Sequence, residues 1–379
     1  SYGQTYTISG YITDGANGES VFGANIIADS LQLGTSSNSY GFYSLTLPTG
    51  KYKLKYSYIG YVSKEVEIIL NKNTTKNIEF FASTSELSEV KLYSEKNIVE
   101  KTQTSMIDIP IKQIFNIPAL LGEVDVLKAI QLLPGVQSSE GTSGFYVRGG
   151  GPDQNLILLD GVPVYNASHL GGLFSIFNPD AIKTVRLTKG GFPARFGGRL
   201  SSVLEIDMKE GNTKKIKSDI TIGLISSKLT FEGPIIKDKT SFIISARRTY
   251  ADLLVKPFMP QNTDLSMYFY DLNIKINHKI SDKDRVYVSS YLGSDIFGVN
   301  YEESENDYSD ALNFRLGYGN ITSTIRWNHL FSDKLFSNTT LTYSKYEFNT
   351  AFGVNSTQNT NFGNEKYDIA FGYISGIQD

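Results

Sequence analysis

The 379-residue sequence has no cysteine, one tryptophan, three histidines and four methionines. Without thiols there is no disulfide, no thiolate metal site and no cysteine nucleophile. His169, His278 and His329 lie far apart and show no metal-ligand spacing, so neither a metal nor a cofactor is expected. No apolar run approaches the roughly 18 residues that a membrane helix needs. An excess of positive charge is also missing. The 36 Lys and Arg against 39 Asp and Glu give a net charge of −3, which supplies no field for nucleic acid. Gly149-Gly150-Gly151 lacks the Lys-Ser/Thr of a phosphate loop, and no serine elbow occurs, so no catalytic residues and no enzyme are expected. What the chain has in quantity is Tyr (24), Phe (22) and Gly (34).

Those residues fall into a recognisable order. From Tyr6 to Phe81 short alternating runs are separated by turns such as Asp14-Gly15, Asn38 to Gly41 and Pro48-Thr49-Gly50, the pattern of an all-β sandwich. Thr84 to Ile109 is polar and without sustained periodicity, and reads as a linker. Between Pro118 and Leu133 the spacing of Leu121, Val124, Leu127, Ile130 and Leu133 predicts an amphipathic helix ended by Pro134-Gly135. Phe145 to Val147 and Leu156 to Leu159 flank a Gly-Gly-Gly-Pro turn, a strand-turn-strand signal, and the second strand does not alternate, so it is expected to be covered on both faces.

From Thr213 the period is two. Tyr270, Leu272, Ile274 and Ile276 alternate with Asp271, Asn273, Lys275 and Asn277. Ile321, Ile325 and Trp327 alternate with polar neighbours, as do Tyr367, Ile369, Phe371 and Tyr373. Either a soluble antiparallel sheet or a membrane barrel with its apolar face toward lipid shows this alternation. About eight strands of roughly 9 to 11 residues are expected. Tight connections fall at Lys237-Asp238-Lys239, Ser281 to Asp284 and Ser332-Asp333-Lys334, and long loops at Tyr250 to Ser266, Phe297 to Ala311 and Thr350 to Asn364. Arg247-Arg248, at a strand's outer end, is read either as an anion site or as a pair that bridges lipopolysaccharide or is solvated. The acidic run Glu302 to Asp307 is read either as a solvated loop or as a calcium site.

The stretch Val124 to Met208 resembles the plug of TonB-dependent outer-membrane transporters. The resemblance rests on Leu133-Pro134-Gly135, Val147-Arg148-Gly149, Leu156 to Val164, Ile182 to Arg186, Gly190 to Gly198 and Ser202 to Ile206, in that order and spacing. Ile8-Ser9-Gly10, Gly23 to Ile26, Gly41-Phe42-Tyr43 and Gly50-Lys51-Tyr52 are similar to the carboxypeptidase regulatory-like sandwich often fused ahead of such plugs.

The resemblance implies a mainly β protein in four parts: a β-sandwich over 5–82, a linker over 83–110, an α/β plug over 111–212, and over 213–379 the first of about 22 antiparallel barrel strands. It implies a cell outer-membrane location, with sandwich and linker periplasmic. Import is expected to be driven by TonB and its inner-membrane proton-driven motor, with the plug gating the barrel for a siderophore, vitamin, oligosaccharide or peptide. An interaction or assembly protein of the same architecture is the alternative. Further partners implied are outer-membrane lipid, lipopolysaccharide and, left open, a surface lipoprotein.

In such transporters a TonB box stands between sandwich and plug, which places it at Leu87, Ser88, Glu89, Val90, Lys91, Leu92 and Tyr93, with Lys91 interrupting the usual apolar run. The arginine of the Val-Arg-Gly strand, Arg148, would lock the plug to wall glutamates. Tyr165, Asn166, His169 and Phe174 follow an inner strand and are read either as ligand-facing or as packed loop. Eight strands cannot close around a plug of this size, so roughly fourteen more are expected beyond Asp379.

Overall fold

The computed structural model describes residues 4–83, 106–117, 121–139, 143–305, 308–360 and 363–378. The proposed TonB box at 87–93 lies outside them.

The N-terminal residues form two small sheets that enclose one core. Thr5–Asp14 pairs with Phe42–Pro48 on one side and with Thr74–Thr75 and Ile78–Phe80 on the other; Asn25–Ala28, Leu33–Ser36, Gly50–Ser57 and Lys64–Leu70 make the second sheet. Strand alternation sends Ile8, Ile12, Ile26, Leu47, Leu54 and Phe80 inward. The two buried tyrosines, Tyr43 and Tyr56, are satisfied by each other's hydroxyls at 3.0 Å and by the Lys76 carbonyl at 2.7 Å from Tyr43.

The plug is built on a five-stranded sheet in the spatial order Val162–Pro163, Asn155–Leu159, Ser202–Met208, Ile182–Lys189, Met106–Pro110. Asn155–Leu159 lies inside the sheet and runs parallel to Ser202–Met208, as an apolar run without alternation requires. Two expectations are corrected here. Residues 106–110, read as linker, form an edge strand paired with Thr184 to Thr188. Phe145–Val147 does not form a hairpin with the Leu156 run; it pairs with Val136–Ser138 in a separate two-stranded sheet.

The helix is also shorter than its spacing suggested, covering Val126–Gln131 alone. Leu121 and Gly122 stand at positive φ and break the helix upstream. Asp125 then caps it: one carboxylate oxygen accepts from Leu127 N at 2.7 Å and Lys128 N at 3.1 Å, while the other accepts from Ser175 N at 2.7 Å. One side chain therefore starts the helix and ties it to the loop at Ser175. Asp125→Ala should cost about 1 to 3 kcal/mol, the cap plus an unmet buried N–H, measurable by urea unfolding of the full chain.

The remaining residues form one eight-stranded antiparallel sheet in sequence order, here called the wall: Lys217–Ile222, Ser226–Ile236, Thr240–Thr249, Thr263–Lys279, Asp284–Glu305, Tyr308–Ser332, Leu335–Thr360 and Gly363–Gln378. The three tight turns fall where the sequence placed them. The long loops after Phe297 and Thr350 are replaced by continued strand, and the sixth strand reaches 25 residues. At about 3.3 Å per residue that is roughly 80 Å, well beyond a hydrocarbon layer of about 30 Å. The expected 9 to 11 residues hold for the second and third strands alone, of 11 and 10 residues; the fourth to eighth run to between 16 and 26, and on the fifth the outward apolar positions end at Ile296 while the strand continues.

Candidate functional site: the inner face of the wall

The wall's alternation has an inverted sense. Asp271, Asn273 and Lys275 are 2%, 4% and 4% exposed, whereas their apolar neighbours Tyr270 and Ile276 are 44% and 38% exposed. Thr322, Thr324, Arg326 and Asn328 are buried and Ile325 and Trp327 exposed in the same way. A soluble sheet buries its apolar side against a core. Here the plug occupies the polar side, and a band of Leu229, Ile276, Val288, Ile325 and Leu341 faces outward, as on a barrel in lipid.

Register decides which residues share the inner face. Cross-strand pairs point the same way, so from Ser344, which donates to the plug's Pro163 carbonyl at 2.7 Å, the inner face runs through Tyr346, Phe348, Phe352 and Val354. Their partners on the eighth strand are Ile377, Ser375, Phe371 and Ile369. Tyr367, Ile369, Phe371 and Tyr373 thus lie on the inner face, not toward lipid. Alternation alone shows that a strand has two faces; only pairing shows which is which.

The plug meets this face through buried charge. His169 sits in a two-residue pairing of Ser168–His169 with Phe174–Ser175, and its ring stacks on Phe269 at 3.9 Å between centroids and 5° between planes. Its Nδ1 lies 2.6 Å from Asp295 and its Nε2 3.3 Å from Asp271. Asp295 also accepts from Leu170 N at 2.7 Å, and Tyr318 OH accepts from Gly171 N at 2.7 Å. Asp271 is held in turn by Arg247, Nε at 2.8 Å and Nη2 at 2.7 Å. Arg247 donates to the Ser175 carbonyl at 2.8 Å and faces Glu123 of the plug at 3.7 Å. Glu123 further meets Lys228 at 3.3 Å and the Ser226 hydroxyl. Lower down, Asp160 pairs with Lys275 at 3.0 Å, and Arg326 donates to the Asp160 carbonyl at 2.5 Å.

Arg247 and Arg248 are adjacent in sequence but separated by strand alternation. Arg247 is buried at the plug, which excludes a solvated or lipopolysaccharide-bridging role for it, while Arg248 lies outside over Tyr268 at 5.2 Å.

Burial alone pushes the His169 imidazole down, but hydrogen bonds and charge from Asp271 and Asp295 outweigh it and hold its pKa above the ordinary value. A raised folded-state pKa means that this stabilisation is complete below about 6.5, the unfolded value, and is lost as pH rises through the folded value. Thermal melts from about pH 6 to pH 9 should show a falling midpoint for the full chain and a flatter profile for His169→Gln.

The other expected site residues are dispersed. Tyr165 and Asn166 are half-buried, and the Asn166 carbonyl accepts from Asn320 Nδ2 at 2.7 Å; Phe174 is a buried plug residue whose ring lies 6.1 Å from that of Phe269. Arg148 is exposed, at a φ of 49°, with no ion pair found among the described residues. Among the described residues no His, Asp and Glu group could hold a metal ion.

Two family models match the first two parts of the chain. Residues 8–92 match the CarboxypepD_reg-like domain and residues 102–202 the TonB-dependent Receptor Plug Domain. The TonB-dependent receptor SusC of Bacteroides thetaiotaomicron is 25% identical over 300 residues, 74% of this chain and 29% of that protein. Among solved structures, the siderophore receptor PirA from Acinetobacter baumannii aligns with a TM-score of 0.40 at 12% identity, over 76% of this chain and 59% of that one. FpvA of Pseudomonas aeruginosa, bound to heterologous pyoverdines, gives 0.41 at 12% identity, over 73% and 42%. The outer membrane transporter YddB from Escherichia coli gives 0.38 at 10% identity, over 73% and 54%. The chain spans less than two thirds of the length of each.

Proposed function

We propose that this chain, a TonB-dependent receptor by its tandem of carboxypeptidase regulatory-like and plug domains, is the plug-bearing front of an active importer of the outer membrane. The observation that carries the proposal is the inverted wall: polar residues turned to an enclosed plug, apolar residues turned out. The sandwich over 5–82 and the linker over 83–105 are assigned to the periplasm. The plug, beginning with its edge strand at Met106 and running to residue 212, gates a barrel of about 22 strands that opens with residues 213–379.

TonB, driven from the inner membrane, pairs with an extended strand at Leu87 to Tyr93 and pulls the plug; the apolar band meets lipid, and lipopolysaccharide lies at its outer edge. Substrate enters from the side of the extended hairpins and reaches the plug at Tyr165, Asn166 and the turn beside His169 and Phe174. Arg148 is assigned to carboxylates on wall strands other than these eight. The assigned roles are binding and gating, and none is catalytic.

Uptake by cells carrying the protein tests the proposal. Accumulation that stops when the proton gradient is collapsed is expected; accumulation that continues unchanged refutes active import.

A further inference from the structure

The inner face changes character above the plug. Up to Asp295 on the fifth strand its residues are polar and meet the plug, but from Phe297 onward the inward positions are apolar and aromatic. Register brings together Phe297, Phe314 and Leu316 with Phe348, Phe352 and Phe371. Phe297 meets Phe314 edge to face at 6.1 Å, and Phe352 stacks with Phe371 at 6.2 Å. The outward neighbours at this height are polar: Asn300, Asn313, Arg315 and Asn355. The apolar side has therefore switched faces, so this band is not a continuation of the lipid-facing surface. It is an aromatic lining, with Phe297, Phe314, Phe348 and Phe352 half-buried and Phe371 exposed, that looks onto the space over the plug turn at Gly171.

Charge on this lining has one sign. Among the described residues no Lys or Arg takes an inward position above Asp295, and Arg315, Lys345 and Lys366 all fall on the outward side. At the upper rim Glu303 and Asp310 stand directly opposite each other, with Glu365 two strands away. Like charges in direct cross-strand register repel, and among the described residues no cation answers them. Aromatic faces attract a cation as well as an apolar ring.

From this lining we propose a substrate class: a cationic ligand bearing flat apolar rings, the chemistry of a basic, aromatic-rich peptide, with its rings on Phe314, Phe352 and Phe371 and its positive groups at Glu303 and Asp310. The assignment rests on the import proposal for its biological meaning, but its test does not. The full-length protein, in lipid nanodiscs, is titrated calorimetrically with the peptide amide Trp-Arg-Trp-Arg, its acidic counterpart Trp-Glu-Trp-Glu, and maltohexaose. The basic peptide should bind at least about tenfold tighter than either of the others. Phe371→Ser should weaken it about tenfold, a lost aromatic stack of roughly 1.5 kcal/mol.

Glu303→Gln with Asp310→Asn should weaken it about fivefold and flatten its salt dependence, without altering folding, since both side chains are exposed. Equal or tighter binding of the acidic peptide or of maltohexaose, or basic-peptide binding that neither variant changes, overturns the class. Capture of the purified periplasmic domain of TonB by residues 84–105 needs no substrate, so import can stand or fall independently of this result.

Discussion

Cells carrying Val90→Pro protein should accumulate no more substrate than cells without TonB, at unchanged protein level in the outer membrane. The proposed contact is an added strand, in which backbone N–H and C=O groups of Leu87 to Tyr93 pair with the edge of a partner's sheet. Proline removes one donor, and its ring blocks the neighbouring pairing. Val90→Ala keeps every backbone group and should leave most uptake in place. The linker ends at Met106, the first residue of the plug's edge strand, and Met106 pairs with Thr188. Force applied at Val90 would therefore reach the plug sheet at its outermost ladder. Beyond Asp108, which bonds Arg186 at 3.0 Å, the core strands Ile182–Lys189 and Ser202–Met208 follow. Retained uptake in Val90→Pro would place the coupling segment elsewhere.

The largest stability effect should come from Asp271. Its side chain is buried between Arg247 and His169, and Arg247 in turn bonds the plug at Ser175. Asp271→Ala leaves a buried guanidinium and a buried imidazole without their shared anion. Breaking a buried pair by removing one partner costs about 3 to 5 kcal/mol. Asp271→Asn keeps the shape and part of the hydrogen bonding and should cost less. Replacing Arg247 and Asp271 together by Met and Leu should recover much of the loss, because both desolvation costs disappear. Urea unfolding of the four proteins, followed by protease protection of the plug, measures the series. If the double variant is as unstable as Asp271→Ala, the pair is not what holds the plug against this part of the wall.

Much of this architecture is legible in the residues. Period-two alternation gave the number of wall strands, and Asp and Lys clusters gave their tight turns, because a two-sided strand and a hairpin turn are local properties. The plug's parallel strand was readable as an uninterrupted apolar run. The plug–wall site was not, since Glu123, His169, Arg247, Asp271 and Asp295 are distant in sequence and only register joins them.

The aromatic lining did leave a local trace. Ile296 and Phe297 are adjacent, apolar and on opposite faces, at the point where the apolar side changes face. Reading the two as one apolar run hides the switch, and with it the fact that the strands continue where loops were expected. The helix was overextended for a related reason: its spacing is periodic through Leu121, but the backbone at Leu121 and Gly122 has positive φ, which spacing does not report.

The central claim is that the wall's outward residues face hydrocarbon while its polar residues face the plug. Because the chain has no cysteine, single cysteines can be introduced and spin-labelled without background. Labels at Leu229, Ile276, Ile325 and Leu341 in lipid vesicles should collide more with oxygen than with a water-soluble nickel chelate. Labels at Asn273 and Thr324 should be protected from both. Outward labels that meet the nickel chelate as readily as oxygen would contradict the account.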